Sequence, residues 1–464
     1  MATAPPVRAV SSEKVPLVRE RSLVPIGMAT ILPEAARHVR HLESELLQGF
    51  YGAGYDEIIL PTFEYLDVLA PGLDPRLAEN SYKIIDRTTG RILLLRPDVT
   101  AQIARTVAMG MVGARLPLRL SYRATVFRYE PEHVGRDREL FQVGAELIGA
   151  DDPSADCEMI TLMIESLRQV GLESFKVSLG HVGFFKGLLV CTGLSVEGRK
   201  RAEEAAARKD LPLLEEIIFQ ERVSKRSARR ILDALELCGT ADVLVKGRTL
   251  AKGEKPLLKA LDRLASVYGI LCASGFKDFL LLDLGEFRGF DYYDGVVFDV
   301  FSDGIDVELG GGGRYNHLFG RFGRDLPSTG FGLNVDRLFR SLKLSGSIQP
   351  LDSKILVIGP TNLSSDLVSL TQELRRAGLR VLQRFVAASG QDLIRMAAEV
   401  GREADASTTV VVGTDRSHKD HVLLLQQGIS QRVGNTTSTT KVQRRTVLKQ
   451  NLVRTLYASP AGAP

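Results

Sequence analysis

Residues 126–148, VFRYEPEHVGRDRELFQVGAELI, decide the fold of this chain. They predict two β-strands joined by an arginine-rich loop. In the second strand Gln142, Gly144 and Glu146 recur at every second position, so they share one face of a sheet. The opposite face carries an apolar set typical of a core, namely Phe141, Val143, Ala145 and Leu147. The segment therefore predicts a sheet with one polar face that has a glycine at its centre.

This polar face has two interpretations. A glutamine and a glutamate with a glycine between them make a floor for a small cationic ligand, because glycine adds no side-chain bulk. Three nearby arginines are cationic forks suited to carboxylate or phosphate, namely Arg128, Arg136 and Arg138. The alternative is a solvent-facing strand with surface arginines. The segment alone leaves both interpretations open.

Length and composition bound the class of protein. A chain of 464 residues suffices for two or three domains, and 44% hydrophobic with 25% charged residues is typical of a globular protein. No apolar run reaches the length of a transmembrane helix, and the N-terminus lacks a signal-peptide layout, so we expect a cytoplasmic protein with no membrane partner. The cysteines are far apart and form no CxxC pair, which predicts reduced thiols: Cys157, Cys191, Cys238 and Cys272.

Two histidine pairs have i,i+3 spacing, His38 with His41 and His418 with His421. Neither pair has acidic or sulfur companions in ligand register. We therefore interpret both as surface residues and predict no metal site.

The net charge of +4 is unevenly distributed. Residues 353–464 contain four Lys and eleven Arg against five Asp and three Glu, a net charge of +7, which leaves −3 for the first 352 residues. A basic domain suits RNA or an acidic protein partner. Only Phe385 and Tyr457 offer aromatic rings there, so a stacking platform is lacking and nucleic-acid binding is not predicted.

The order of sequence patterns predicts an α+β architecture. We expect a disordered lead-in at residues 1–20 and a domain at 21–345 built on one large, mainly antiparallel sheet flanked by helices. A mostly helical insertion is predicted at about 195–272. After a linker at 345–352, residues 353–464 predict a small α/β domain with a βαβαβ order. Strands are expected at 57–60, 91–96, 118–127, 279–284, 295–301 and 306–309, and helices from Pro33, after Thr100, at 155–169 and at 334–343.

Three further motifs contain residues with possible chemistry. In LRPDVT, residues 95–100, Asp98 and Thr100 stand where a strand ends and a helix begins, and the local interpretation is that they cap the helix. In EFRGFDYYDG, residues 286–295, Arg288 suits a carboxylate or phosphate, and Tyr292 and Tyr293 supply ring walls with hydroxyl groups. The alternative for this motif is a strand turn with packed aromatic rings.

The third motif consists of two glycine-rich segments, GGGGRY at 310–315 and GFGLNVDR at 330–337. We expect them on either side of a helix. Without a GK[ST] element they are not a P-loop, although glycines near Arg337 are compatible with a nucleotide.

Taken in chain order, these motifs resemble the catalytic domain of class II histidyl-tRNA synthetases over roughly residues 25–345. The C-terminal domain resembles the anticodon-binding domain of that family in diverged form. The resemblance implies that Asp98, Thr100 and Gln142 hold the α-amino end of histidine. It implies that Glu146, Tyr292 and Tyr293 line an imidazole pocket. It also implies that Arg128 meets the α-phosphate of ATP, Arg288 the reacting carboxylate and Arg337 the tail of ATP.

Departures from the synthetase pattern favour one branch of this family. Synthetases usually read RPEGT where this chain has RPDVT, and they commonly have a histidine where this chain has Phe141. The stretches RPDVTAQIAR, DLGEFRGFDYYDG and GGGGRYNHLFGRFG are similar to the paralogue that serves as regulatory subunit of ATP phosphoribosyltransferase, the first enzyme of histidine biosynthesis.

Membership of that branch implies a non-catalytic subunit without a cofactor. It implies a homodimer core that binds a short-form catalytic subunit in a hetero-octamer, with L-histidine as the feedback ligand. Histidine contacts are then expected at Asp98, Thr100, Arg128, Gln142, Glu146, Arg288, Tyr292 and Tyr293, and a vestigial ATP site at Arg128 and Arg337. The alternative is an active histidine–tRNA ligase.

Overall fold

The computed structural model describes residues 24–129, 138–286, 291–348, 354–414, 420–427 and 442–457. The chain divides into two compact units, Met1–Ile348 and Gln349–Pro464. None of the helices within these described ranges is long and apolar enough to cross a membrane.

The first unit contains a nine-stranded sheet and a separate three-stranded sheet among its described residues. Its strands are β1 (Asp56–Glu57), β2 (Phe63–Tyr65), β3 (Lys83–Ile85), β4 (Ile92–Leu95), β5 (Leu118–Phe127), β6 (Glu139–Ile148), β7 (Phe175–His181), β8 (Cys238–Gly239), β9 (Leu280–Asp283), β10 (Val296–Ser302), β11 (Gly310–Arg314) and β12 (Ser328–Asn334). The large sheet has the order β1-β5-β6-β12-β11-β10-β7-β9-β8, and the small one β2-β4-β3. The pairs β1–β5 and β7–β9 are parallel and the other pairs antiparallel.

The helices of this unit are α1 (Pro33–Gly52), α2 (Leu66–Leu69), α3 (Pro75–Glu79), α4 (Thr100–Gly110), α5 (Pro153–Gln169), α6 (Val182–Cys191), α7 (Val196–Ala207), α8 (Leu211–Gln220), α9 (Lys225–Leu235), α10 (Asp242–Leu250), α11 (Lys255–Ala273) and α12 (Val335–Ser345). Helix α1 begins at a proline, whose missing amide hydrogen costs nothing in a first turn. Helix α5 begins after Asp152, which accepts the Ser154 amide at 2.9 Å and caps the free end.

One face of the large sheet packs against helices. The odd-numbered side chains of β6, including Val143, Ala145 and Leu147, belong to the same buried core as the apolar stripes of α1, α5 and α12. The stripe of α1 recurs at three- and four-residue spacing, as in Val39, Leu42 and Leu46. The even-numbered residues of β6 therefore face the other way, toward a second core formed with α4.

Glycines occupy much of this second face. Across β6 and β12, Gly144 pairs with Gly332 and Glu146 with Gly330. The second row continues from Gly330 to Gly313, then to Val297 and Gly180. The sheet thus has a floor with few side chains beside Glu146.

The glycine-rich segments form two strands of the large sheet. The two glycine-rich segments flank a short 3-10 helix, Phe319–Phe322, as expected, and they also pair with each other as the neighbouring antiparallel strands β11 and β12. The expected strand at 306–309 is wrong, since β11 begins at Gly310. A Cβ on Gly313 would lie 2.7 Å from Val296 O and 2.8 Å from Val297 Cγ1, so the paired strands leave room only for glycine at this position. Strand pairing therefore outweighs the weak strand propensity of glycine here.

The second unit is a five-stranded sheet with helices, within its described residues. Its elements are β13 (Lys354–Pro360), α13 (Ser364–Arg376), β14 (Val381–Val386), α14 (Gly390–Glu403), β15 (Ala406–Val412), β16 (His421–Gln427), β17 (Val442–Leu448) and α15 (Leu452–Tyr457). The order is β14-β13-β15-β16-β17; β13 is parallel to both neighbours, and β15, β16 and β17 are antiparallel. Separate apolar clusters line the two faces of this sheet.

Candidate ligand site

A buried carboxyl group lies at the centre of the glycine-lined face. Glu146 is only 1% exposed. The Thr100 hydroxyl donates to Glu146 Oε1 at 2.7 Å, and the Tyr315 hydroxyl donates to Oε2. Both partners are neutral hydroxyl groups, so the carboxyl is held in place without a paired cation in these contacts.

Burial changes the charge of this carboxyl. Desolvation raises the pKa of Glu146 from 4.5 to about 8, although the hydrogen bonds from Tyr315 and Thr100 lower it and the nearby Asp98 raises it further. Near pH 7 the group is therefore mostly protonated. A ligand that brings N–H donors or positive charge favours the ionised form, because it replaces part of the lost hydration.

A second carboxyl group lies beside the first. Asp98 is 5% exposed, and its Oδ1 accepts the Ala101 amide at 2.8 Å while its Oδ2 accepts the Tyr292 hydroxyl at 3.2 Å. The capping interpretation is thus correct for Asp98, which satisfies a free amide in the first turn of α4. It is wrong for Thr100, whose hydroxyl donates to Glu146 instead.

Aromatic rings wall the site. The Tyr292 centroid lies 4.7 Å from Tyr293 and 5.9 Å from Tyr315, and Tyr293 lies 6.2 Å from Tyr315. Burial raises the pKa of Tyr292 and Tyr315 well above 10, so both stay neutral donors at physiological pH.

Two tyrosines of this wall were missed from the sequence. Tyr122 pairs with Gly144 across β5 and β6, and a Cβ on Gly144 would meet its hydroxyl at 2.5 Å. Tyr315 comes two residues after the glycine run. In the sequence, Tyr122 is indicated only by the alternation along β5 and Tyr315 only by the GGGGRY motif. Neither pattern specifies that the Tyr315 hydroxyl bonds to Glu146.

Gln142 lies two residues before Gly144 in β6 and therefore on the same face of the sheet. Its Nε2 donates to Asn334 Oδ1 at 3.1 Å, across the same strand pair that brings Glu146 to Gly330. Gln142 is half-buried, so its amide remains partly accessible at the rim of the floor.

The predicted arginines have different surroundings. Arg128 follows β5 and its Nε donates to Pro97 O at 3.0 Å, next to Asp98. Arg337 on α12 bonds through Nη1 to both the backbone and the carboxylate of Glu308, at 2.8 Å each. Arg138 lies over the Tyr129 ring at 4.7 Å. Arg136 and Arg288 lie outside the described residues.

The structure therefore brings Asp98, Thr100, Glu146, Tyr292 and Tyr293 together, with Gln142 and Arg128 at the margins. In the described ranges no group of three His, Cys, Asp or Glu side chains is arranged to hold a metal ion. Two carboxyl groups and several hydroxyl groups suit a small polar ligand with several N–H groups, because their oxygens accept hydrogen bonds.

Comparison with known proteins identifies the family to which this fold belongs. The family model for histidyl-tRNA synthetase matches residues 27–338. A protein of Geobacter metallireducens named ATP phosphoribosyltransferase regulatory subunit is 35% identical, covering 87% of this chain and 92% of its own length. A protein of Moorella thermoacetica with the same name is 39% identical, covering 82% and 96%.

Two solved structures extend the comparison. An ATP phosphoribosyltransferase regulatory subunit/histidyl-tRNA synthetase of Bacillus halodurans superposes with a TM-score of 0.72 at 29% identity, covering 83% of this chain and 97% of that chain. A histidyl-tRNA synthetase of Nostoc superposes with a TM-score of 0.75 at 20% identity, covering 93% and 98%, and so supports the fold alone.

The fold and the family model together define the class, a protein built on the catalytic fold of class II histidyl-tRNA synthetases. The predicted fold class is thereby confirmed. Within this class, the chain belongs to the family of ATP phosphoribosyltransferase regulatory subunits.

Proposed function

We propose that this chain is a non-catalytic subunit that activates a short-form ATP phosphoribosyltransferase catalytic subunit and binds L-histidine as feedback ligand at the Glu146 site. The observation that carries the proposal is the buried carboxyl of Glu146, enclosed by hydroxyl groups over a glycine floor. The names of the relatives support a regulatory role.

Histidine fits the chemistry of the described residues. Its imidazole supplies an N–H donor for Glu146 and a flat ring for the tyrosine wall. Its α-ammonium group is a cation for Asp98 and finds an amide oxygen at Gln142. The remaining carboxylate needs a cationic fork, for which the sequence offers Arg128 and Arg288.

Regulation requires more than binding. Histidine shifts the activity of a complex only when it binds one arrangement of that complex more tightly than another. We therefore propose a homodimer core carrying catalytic subunits in a hetero-octamer, in which the free and the assembled regulatory subunit have different affinities for histidine.

The decisive experiment combines this chain with a short-form catalytic subunit. Light scattering should show one larger species, and ATP phosphoribosyltransferase activity should rise when this chain is added and fall as histidine is titrated. Separate species under conditions in which both chains are folded would disprove the partnership. Equal histidine affinities for the complex and the free subunit would exclude the coupling.

The alternative function is an ATP-dependent histidine–tRNA ligase. Its support is the presence of Arg128 and Arg337 at positions that resemble the ATP site of synthetases. The bonds of Arg337 to Glu308 occupy its Nη1 group, so a nucleotide would have to compete with a carboxylate for that arginine.

A further inference from the structure

We propose that Lys209 is a positioning residue that ties the insertion helices, α7 to α10, to the candidate ligand site. It acts on the turn at 283–286, which begins with the last residue of β9 and precedes Tyr292 and Tyr293 in the chain. The proposal depends on the proposed function only for the identity of the ligand.

The first contact is an ammonium clamp. Lys209 Nζ donates to Asp283 Oδ2 at 2.9 Å and to Gly285 O at 3.0 Å. Asp283 Oδ1 in turn accepts the Gly285 amide at 2.8 Å. One charge-assisted group therefore holds both the start and the middle of the turn.

The insertion helices also hold the turn through their backbone. The Leu284 amide donates to Leu237 O at 3.1 Å, and Cys238 in β8 pairs with Asp283. A Cβ on Gly285 would lie 2.5 Å from Leu235 O at the end of α9. Displacement of α9 is therefore transmitted to the turn by direct contact.

On its other side the turn packs on the ligand face of the large sheet. The Ser178 hydroxyl donates to Glu286 Oε2 at 2.9 Å, and a Cβ on Gly180 would lie 2.7 Å from Asp283 O. Gly180 ends the cross-strand row that begins with Glu146 and passes through Gly330, Gly313 and Val297. The turn and Glu146 thus lie on one face of one sheet.

The backbone of Lys209 supports a role for its side chain. Lys209 follows the C-cap of α7 with φ of 52°, a left-handed conformation that favours glycine. Arg222 occupies the same position after α8 with φ of 54°, but it is exposed, and no bond from it to the turn is recorded among the described residues. Lysine at 209 therefore adds contacts that glycine would not supply.

The test compares Lys209→Gly with the matched control Arg222→Gly. Both variants remove one cation and the backbone strain of one left-handed residue, but only Lys209→Gly removes a contact with the turn. Amide hydrogen exchange over residues 280–294, measured without ligand, should be about two- to fivefold faster in Lys209→Gly. This factor corresponds to the stabilisation that a half-exposed ion pair contributes. Arg222→Gly should match the wild type, and Lys209→Arg should restore slow exchange. Lys209→Met serves as a second variant if the glycine variant does not fold.

Calorimetry with L-histidine gives an independent readout. The dissociation constant should rise by a similar factor in Lys209→Gly but not in Arg222→Gly. Equal exchange rates in the two variants would overturn the positioning role. Failure of the wild type to bind histidine would disprove the proposed ligand, while the exchange comparison would still decide the role of Lys209.

Discussion

Glu146 and Gly330 face each other across β6 and β12, and a methyl group on Gly330 would overlap Glu146 Oε2. The buried carboxyl therefore has its position because the neighbouring strand carries no side chain there. The same glycine keeps open the floor on which we expect the ligand to lie.

Gly330→Ala should displace the Glu146 carboxyl and weaken histidine binding by about 2 kcal/mol, roughly thirtyfold, because a buried polar group would lose its partners. Isothermal titration calorimetry measures the change. Gly269→Ala is the control, because this glycine lies on the exposed side of α11 with nothing within 4 Å of an added Cβ. The control should bind histidine as the wild type does, and equal affinity in both variants would contradict the assignment of the floor.

Glu146→Ala should weaken histidine binding markedly, by about 1 to 3 kcal/mol, since the imidazole would lose its acceptor. Glu139→Ala at the start of the same strand is the matched control, because the odd-numbered positions of β6 point to the opposite face. Unchanged affinity of Glu146→Ala in calorimetry would remove Glu146 from the ligand site.

The stability of the chain should depend on pH through Glu146. Its pKa is about 8 in the folded state and 4.5 when solvated, so between these values the folded chain keeps a proton that the unfolded chain has released. Stability should therefore fall as pH rises, by at most about 1.4 kcal/mol per pH unit. Glu146→Gln should remove this slope.

Denaturant unfolding between pH 6.5 and 8 gives the cleanest measurement of this slope. Burial lowers the pKa of His181 to about 4, so that residue contributes stability that is lost only as pH falls below 6.5. Parallel slopes in the wild type and Glu146→Gln would show that Glu146 is already ionised in the folded chain.

The purified chain should not charge a histidine tRNA above background. The reasons are the Asp98–Val99 and Phe141 departures and the bonds of Arg337 to Glu308. An aminoacylation assay with an authentic histidyl-tRNA synthetase as positive control measures this directly. Robust charging by this chain would favour the alternative function.

Regular periodicity predicted most of the secondary structure correctly. Strand β5 has the predicted bounds, and α1 begins at the predicted Pro33. The predicted βαβαβ order recurs in β13 to β15. These elements follow from local patterns, since the apolar residues of each recur with the period of a helix or a strand. The glycine strand β11 has no such pattern, because four successive glycines fit a loop equally well.

The sequence by itself determined which residue types this protein has available for a ligand and which of them share a strand face. Gln142, Gly144 and Glu146 lie on one side of β6 because side chains alternate along any strand. Only the tertiary structure decided what that face encloses. The register of β12 sets Gly330 against Glu146, and the burial that follows raises the pKa of this carboxyl. Tyr315, Thr100 and Asp98 join it from segments far apart in the chain, through contacts that no local pattern specifies because they form only when the strands pair.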